Sequence, residues 1–148
     1  MRVLIDTNVL VRLSHLSSPQ QPIAANALRR LHDEGHELRT VPQVLYEYWA
    51  VASRREEHNG LGFAIPVVHS QIHDWRILFP VLKDERGILD PWQQIALDHS
   101  VIGKQVHDAR LVAAMKRHGL THILTFNGSD FRRFAGVEVL DPAAVPSS

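Results

Sequence analysis

Four acidic residues lie at the ends or on the faces of apolar segments, where an isolated solvated carboxylate is out of place. Asp6 and Asp130 each follow a short apolar run typical of a buried strand, whereas Glu47 and Asp108 lie in segments with the apolar pattern of helices. Clustered carboxylates repel one another, which raises their pKa values unless a cation lies between them. Because carboxylate oxygens are ligands that Mg²⁺ and Mn²⁺ prefer, the four residues predict a divalent-metal site and phosphoryl-transfer chemistry.

The segments that must position these acids alternate between strand and helix, which predicts one α/β domain with a central parallel sheet flanked by helices. Such sheets bind ligands beyond the carboxyl ends of their strands, where Asp6 would lie. Thr7 or Asn8 would cap the first helix, and Asp90 would cap a later one. The predicted strands are 2–6, 38–41, 79–82, 121–125 and 137–140. The predicted helices begin near residue 7 and then cover 23–31, 42–51, 63–76, 91–101 and 106–118.

Length and composition bound the class of protein. The chain has 148 residues, 45% of them hydrophobic, and we expect one domain over 1–141 followed by a loosely ordered tail at 142–148. No cysteine is present, which excludes disulfides and thiolate metal sites. No apolar run approaches the ~18 residues of a membrane span, and no signal-peptide pattern is present, so we expect a cytoplasmic protein. The formal net charge of 0 gives no global attraction to nucleic acid, although local basic patches can suffice.

Four motifs occur in register along the chain. They are Val-Leu-Ile-Asp-Thr-Asn-Val-Leu at 3–10, Glu47 within Val-Leu-Tyr-Glu-Tyr, His-Asp-Ala-Arg-Leu-Val-Ala-Ala at 107–114, and Leu-Thr-Phe-Asn-Gly-Ser-Asp-Phe at 124–131. Together they resemble the motifs of PIN domains, and within that superfamily they are most similar to VapC-type toxins of prokaryotic toxin–antitoxin modules. The resemblance covers essentially the whole chain. It implies an α/β/α fold, a Mg²⁺- or Mn²⁺-dependent endoribonuclease, a homodimer, and inhibition by a small cognate antitoxin.

The resemblance also implies roles for the acidic residues. Asp6 and Asp108 match the pair of aspartates that bind metal, and Glu47 matches the glutamate that completes the ligand shell, directly or through water. The chain departs from the commoner pattern at the fourth position, because Asn127 stands where many relatives have an aspartate. We assign the fourth position to Asp130, three residues further on, with Asn127 as a neutral ligand or a water-orienting group.

Several polar residues beside these acids are candidates for supporting roles. Attraction between basic side chains and an RNA backbone would weaken as salt rises. The candidate auxiliary residues are Thr7, Asn8, Thr125, Asn127 and His107, and the candidate RNA-binding residues are Lys104, Arg110, Arg132 and Arg133. Each acid also has a structural interpretation: Asp6 as a helix cap, Glu47 as the partner of Arg54 or Arg110, Asp108 as a helix-start acid, and Asp130 as a loop or capping residue.

Other functions have weaker support in the sequence. A haloacid-dehalogenase-type phosphatase needs a second aspartate two residues after the first, and Asn8 occupies that position. The histidine pair His69 and His73 lacks the adjacent glutamate of a zinc metalloprotease. Two alternatives stay open: a PIN-like scaffold that binds RNA or protein without efficient cleavage, and a housekeeping RNA-processing nuclease.

Overall fold

A computed structural model of the protein describes residues 1–146, and among them four parallel strands form one sheet in the order β2-β1-β3-β4. The central strand β1 carries three fully buried residues, Val3, Leu4 and Ile5. A continuous apolar run of this kind is typical of a parallel strand covered on both faces. The strands are β1 (Arg2–Ile5), β2 (Glu37–Arg39), β3 (His122–Leu124) and β4 (Glu138–Leu140). The predicted α/β fold with a central parallel sheet is confirmed.

The helices between these strands begin and end where the local sequence favours it. Pro42 and Pro66 lie in the first turns of their helices, where the missing N–H costs nothing. Gly119 ends the last helix with a φ of 69°, a conformation that glycine adopts without strain. The helices are α1 (Thr7–Ser14), α2 (Gln21–Asp33), α3 (Pro42–Ser53), α4 (Ile65–Leu78), α5 (Leu89–Asp98) and α6 (Gln105–His118). None of them, within residues 1–146, is long and apolar enough to cross a membrane.

The register of the sheet aligns the carboxyl ends of its strands. Ile5 pairs with Leu124, and Leu124 pairs with Leu140. The next residues along the chain continue this alignment, since the Asp6 N–H donates to the Leu124 carbonyl at 3.1 Å and the Thr125 N–H donates to the Leu140 carbonyl at 3.1 Å. Asp6 and Thr125 therefore leave the sheet side by side at the same edge.

The prediction of a strand at 79–82 is wrong. Only one bridge forms there, between Thr40 and Val81. Helix α4 extends through Leu78, which leaves few residues for a strand, and Pro80 has no N–H to donate to a ladder. The segment therefore pairs with Thr40, just after β2, through two backbone hydrogen bonds without forming a strand, and the sheet of the described residues has four strands where five were predicted.

Two predicted helix caps are also wrong. The cap of α1 is Asp6, one residue before the predicted Thr7 or Asn8. Helix α5 begins at Leu89, so Asp90 lies within its first turn and makes no capping hydrogen bond. An acid in the first turn still interacts favourably with the helix dipole, which is why the sequence pattern resembles a cap.

The segment predicted to be a loosely ordered tail is partly structured. Pro142–Ala144 forms a short 3-10 turn that begins at Asp141, whose carboxylate accepts a hydrogen bond from the Ala143 N–H at 2.9 Å. Pro142 is buried in this turn. Residues 147–148 of the predicted tail lie outside the described residues.

Candidate metal centre

The four predicted acids line one groove of about 620 Å³ at the carboxyl edge of the sheet. They reach it from four separate parts of the chain: Asp6 follows β1, Glu47 lies in the middle of α3, Asp108 lies in the first turn of α6, and Asp130 lies in the loop after β3. Five predicted auxiliary or basic residues line the same groove: Thr7, Asn8, Lys104, His107 and Asn127. The fold thus brings together residues that are more than 120 positions apart in the sequence.

Asp6 is the most tightly held of the acids. It is 6% exposed, and its Oδ1 accepts the Thr7 N–H at 2.7 Å as the cap of α1. Its Oδ2 accepts the Thr125 hydroxyl at 2.8 Å and the Asn8 amide at 3.2 Å. Asp6 can therefore act both as a helix cap and as a metal ligand. The cap contact uses only Oδ1, and the residue lines the groove.

Thr125 and Asn8 join the two chain segments that leave the sheet. The Asn8 amide donates to the Thr125 hydroxyl at 3.0 Å, while its carbonyl oxygen accepts the Phe126 N–H at 3.0 Å. The Asn127 N–H also donates to the Thr125 hydroxyl, at 3.0 Å. These contacts fix the loop that carries Asn127 against the start of α1.

Glu47 is hydrogen-bonded on both carboxylate oxygens. Its Oε2 accepts the Thr7 hydroxyl at 2.8 Å and its Oε1 accepts the Gln43 amide at 2.9 Å. The alternative in which Glu47 pairs with an arginine is wrong: Arg110 forms its ion pair with Asp84, at 2.9 Å. Among residues 1–146, Glu47 has no ion pair.

Asp108 and Asp130 are the other two acids that line the groove. Asp108 is partly buried in the first turn of α6. Asp130 is exposed and ends the 3-10 turn Gly128–Asp130, while Asn127 is the residue immediately before that turn. Both Asn127 and Asp130 reach the groove, so the fourth position has two candidate side chains, one neutral and one acidic.

Burial raises the pKa of Asp6 to about 6. Hydrogen bonds from the Thr125 hydroxyl and the Thr7 N–H act in the opposite direction, and the neighbouring Glu47 and Asp130 carboxylates add to the increase. Because the pKa of Asp6 stays elevated despite these hydrogen bonds, the protein alone compensates its negative charge poorly.

Burial also raises the pKa of Asp108, to about 7, and repulsion from its acidic neighbours is the next cause. Those neighbours are Asp130, Asp6 and Glu47, in decreasing order of effect, and the Arg133 guanidinium acts in the opposite direction. The other three acids therefore each raise the pKa of Asp108 by electrostatic repulsion. A divalent cation would offset the repulsion among the acids, which adds to the effect of burial on both pKa values.

The chemistry of the donor set suits a hard cation, although no group of three or more His, Cys, Asp or Glu side chains within 1–146 lies close enough together to hold a metal ion without some rearrangement. An open arrangement is consistent with Mg²⁺, which usually keeps several waters and takes only a few carboxylates from the protein. Asp6 and Asp108 would be the direct ligands, with Glu47 and Asp130 binding directly or through water.

The predicted basic residues divide into two groups. Lys104 lines the groove, but Arg110, Arg132 and Arg133 do not. Arg110 is held by Asp84, and the Arg133 guanidinium donates to the His99 carbonyl at 3.3 Å and to the Gln105 side chain at 2.8 Å.

Three further polar residues of the groove lie outside the predicted site set, namely Arg12, Arg54 and Asn59. One signal for Arg12 exists in the sequence, since it follows Asn8 by four residues and so shares a face of α1 with it. Gln43 does not line the groove, but it contacts Glu47 from an apolar stretch where the sequence pattern predicts only core.

Several known proteins resemble this chain in sequence or in fold. The PIN domain family model matches residues 3–137. Ribonuclease VapC48 of Mycobacterium tuberculosis is 28% identical over 150 residues, covering 96% of this chain and 98% of the relative. The structure of VapBC2 from Rickettsia felis, bound to a promoter DNA fragment, superposes with a TM-score of 0.70 at 14% identity, covering 95% of this chain and 100% of that one. The M. tuberculosis toxin VapC20, which cleaves the sarcin-ricin loop, superposes with a TM-score of 0.63 at 18% identity, covering 86% of this chain and 92% of that one.

Proposed function

This chain belongs to the PIN domain family, and from that membership we propose that it is a metal-dependent endoribonuclease, the toxin of a toxin–antitoxin pair. The observation that carries the proposal is the single groove into which Asp6, Glu47, Asp108 and Asp130 all project. The raised pKa values of Asp6 and Asp108 support a cation as the missing partner of that negative charge. The name of the M. tuberculosis relative, a ribonuclease, supports RNA as the substrate.

In the proposed reaction, the residues of the groove bind the metal and hold its carboxylate ligands in fixed orientations. When bound, Mg²⁺ or Mn²⁺ supplies Lewis acidity that activates a water and offsets charge on the scissile phosphate. Thr125, Asn8 and the Thr7 N–H fix the two oxygens of Asp6, so this carboxylate needs no reorganisation when the substrate arrives. Thr7 fixes Glu47 in the same way through its hydroxyl group.

Basic residues around the groove suggest a path for the RNA backbone. Arg12, Arg54 and Lys104 line the groove together with the four acids. A second cavity of about 880 Å³ shares the lining residues Val11, Arg12 and Asn59 with the groove, so the two are neighbours. Phosphates flanking the cleaved bond would contact the basic residues, while the second cavity would accept a neighbouring nucleoside.

The proposed partners follow from the same family. Structural neighbours that contain both toxin and antitoxin chains support a small antitoxin as the inhibitor, and we propose a homodimer as the active assembly. An enzyme acting on cellular RNA would work in the cytoplasm. Light scattering of the purified chain, alone and after coexpression with the product of an adjacent small reading frame, tests both partners.

The decisive experiment is cleavage of total cellular RNA by the purified, antitoxin-free protein with Mn²⁺, with Mg²⁺ and with EDTA. We expect discrete fragments that require metal and that are lost in Asp6→Asn and Asp108→Asn. Asp74→Asn is the matched control, since Asp74 is an exposed acid on α4 outside the groove. Undiminished cleavage by both groove variants would refute the proposed mechanism, and metal binding without any cleavage would favour the scaffold alternative.

A further inference from the structure

Gln43 is a buried polar residue whose contacts link two helices, α3 and α6, that carry acids of the groove. It is 7% exposed and lies one turn before Glu47 on α3. Its Nε2 donates to Glu47 Oε1 at 2.9 Å and to the main-chain carbonyl of His107 at 2.9 Å. His107 directly precedes Asp108, so a single amide group connects one acid on α3 with the start of the segment that holds another acid on α6.

The orientation of this amide is set by a charged pair outside the groove. Arg110 Nη1 donates to Gln43 Oε1 at 3.2 Å, and Arg110 Nη2 donates to Asp84 Oδ1 at 2.9 Å. A guanidinium can only donate hydrogen bonds, so the oxygen of Gln43 must face Arg110. Both N–H groups of the amide are thereby left for Glu47 and for the His107 carbonyl.

We propose that Gln43 is a positioning residue of the metal centre, held in its working orientation by the Arg110–Asp84 pair. This inference rests on the proposed function, because it assumes that Glu47 and Asp108 serve a bound cation. The amide fixes one oxygen of Glu47 and sets the distance between α3 and the first turn of α6. Partners that orient metal ligands in this way typically contribute about 10–100-fold to metal affinity.

The proposal gives Arg110 a role different from the RNA contact predicted from the sequence. Its guanidinium is occupied by Gln43 and Asp84, and the residue does not line the groove. Arg110 therefore acts on the metal centre through Gln43, and its removal should not change how the protein binds RNA without metal.

The test is Mn²⁺ binding, followed by the loss of the free-ion paramagnetic resonance signal, in wild type, Gln43→Leu, Arg110→Met and the double variant. Leucine keeps most of the volume of glutamine and removes its donors. We expect Gln43→Leu to weaken Mn²⁺ binding by about 10-fold or more. Arg110→Met should weaken binding less, because Gln43 can still donate after a change of orientation. The double variant should bind no more weakly than Gln43→Leu, since Arg110 has nothing left to orient.

Controls separate positioning from a loss of folding. Gln94→Leu is the matched substitution, because Gln94 is an exposed glutamine on α5 whose amide bonds Asp98 outside the groove. Thermal unfolding in EDTA reports whether each variant is folded, and binding of a single-stranded RNA in EDTA should be unchanged in Arg110→Met. If Gln43→Leu does not fold, Arg110→Met alone still tests the orientation step.

Each outcome of the Mn²⁺-binding experiment either supports or contradicts the proposed role of Gln43. Wild-type Mn²⁺ affinity in folded Gln43→Leu would overturn the proposal while leaving the proposed function intact. Additive losses in the double variant would overturn the role of Arg110, since the two residues would then act independently. Failure of the wild type itself to bind Mn²⁺ would remove the proposed function and this inference together.

Discussion

At Asp108 the protein keeps a partly buried carboxylate with no hydrogen-bond donor among residues 1–146, next to three other acids. Asp6 differs, because its two oxygens accept three hydrogen bonds. Replacing Asp6 by asparagine would turn an acceptor into a donor facing other donors. Asp108→Asn removes negative charge without breaking such a network, which makes it the cleaner probe of the charge itself.

We expect Asp108→Asn to unfold at a higher temperature than wild type in EDTA at pH 8. The substitution removes a poorly solvated charge and its repulsion with Asp130, Asp6 and Glu47. For a chain of this length, each kcal/mol corresponds to a shift of roughly 2–4 °C. Added Mn²⁺ should stabilise wild type and have little effect on the variant. An unchanged or lower midpoint in EDTA would contradict the repulsion argument.

The pH dependence of metal-free stability follows from the same shift. The folded-state pKa of Asp108 is about 7, above its ordinary value of 3.8, so the folded protein binds more protons than the unfolded chain between these values. Stability contributed by this group is therefore present below about pH 4 and is lost as pH rises through about 7. Urea denaturation in EDTA at pH 5 and pH 8 should show this loss, and Asp108→Asn should reduce it.

At the scale of elements, the turn after α3 is held by a close backbone approach at Gly60. A side chain there would place its Cβ 2.0 Å from the Arg54 carbonyl oxygen. Gly35 is a matched comparison, because its φ is 80° but no atom lies within 4 Å of an added Cβ. Gly60→Ala must displace the backbone that carries Arg54 and Asn59 into the groove, whereas Gly35→Ala introduces backbone strain alone.

We expect Gly35→Ala to reduce the free energy of unfolding by about 1–2 kcal/mol, the cost of a left-handed conformation with a Cβ. Gly60→Ala should cost more and should also weaken RNA binding, since the displaced turn lines the groove. Urea denaturation and RNA binding in EDTA measure the two effects. Equal effects of the two substitutions on both measurements would show that the turn after α3 is not constrained in this way.

The sequence predicts the elements whose signals are local and strong. The apolar run of β1 and the pattern of α6 identify both elements and the acids beside them, and the structure brings these acids to one groove. The prediction of a strand at 79–82 is wrong because a β-rich run does not show, from sequence alone, that the segment forms just one bridge with its neighbour. The contacts of Gln43 and Arg110 could not be predicted for another reason. The direction of their side chains depends on packing between α3 and α6, which residue type and spacing do not encode.

For the whole molecule, the net charge of 0 makes RNA binding depend on the local placement of basic residues. If Arg12, Arg54 and Lys104 each contact one phosphate, the logarithm of the binding constant should fall with the logarithm of salt concentration with a slope of about −2. Fluorescence anisotropy of a labelled single-stranded RNA in EDTA measures this slope.

Substituting those three residues by alanine should flatten the slope towards zero. Arg29→Ala is the matched control, because Arg29 lies on α2 and lines a different cavity. A slope that is unaffected by the triple substitution would mean that the RNA follows another path across the surface.

The strand order has a consequence for the timing of synthesis. Strand β1 is completed at Ile5, but its neighbour β3 lies at His122–Leu124, and the two must pair before Asp6 can meet Thr125. A nascent chain therefore cannot assemble the groove until most of it has left the ribosome. The complete acidic centre therefore forms only at the end of translation, and a premature stop before residue 122 would leave a polypeptide that keeps β1 and β2 but lacks β3, β4 and Asp130.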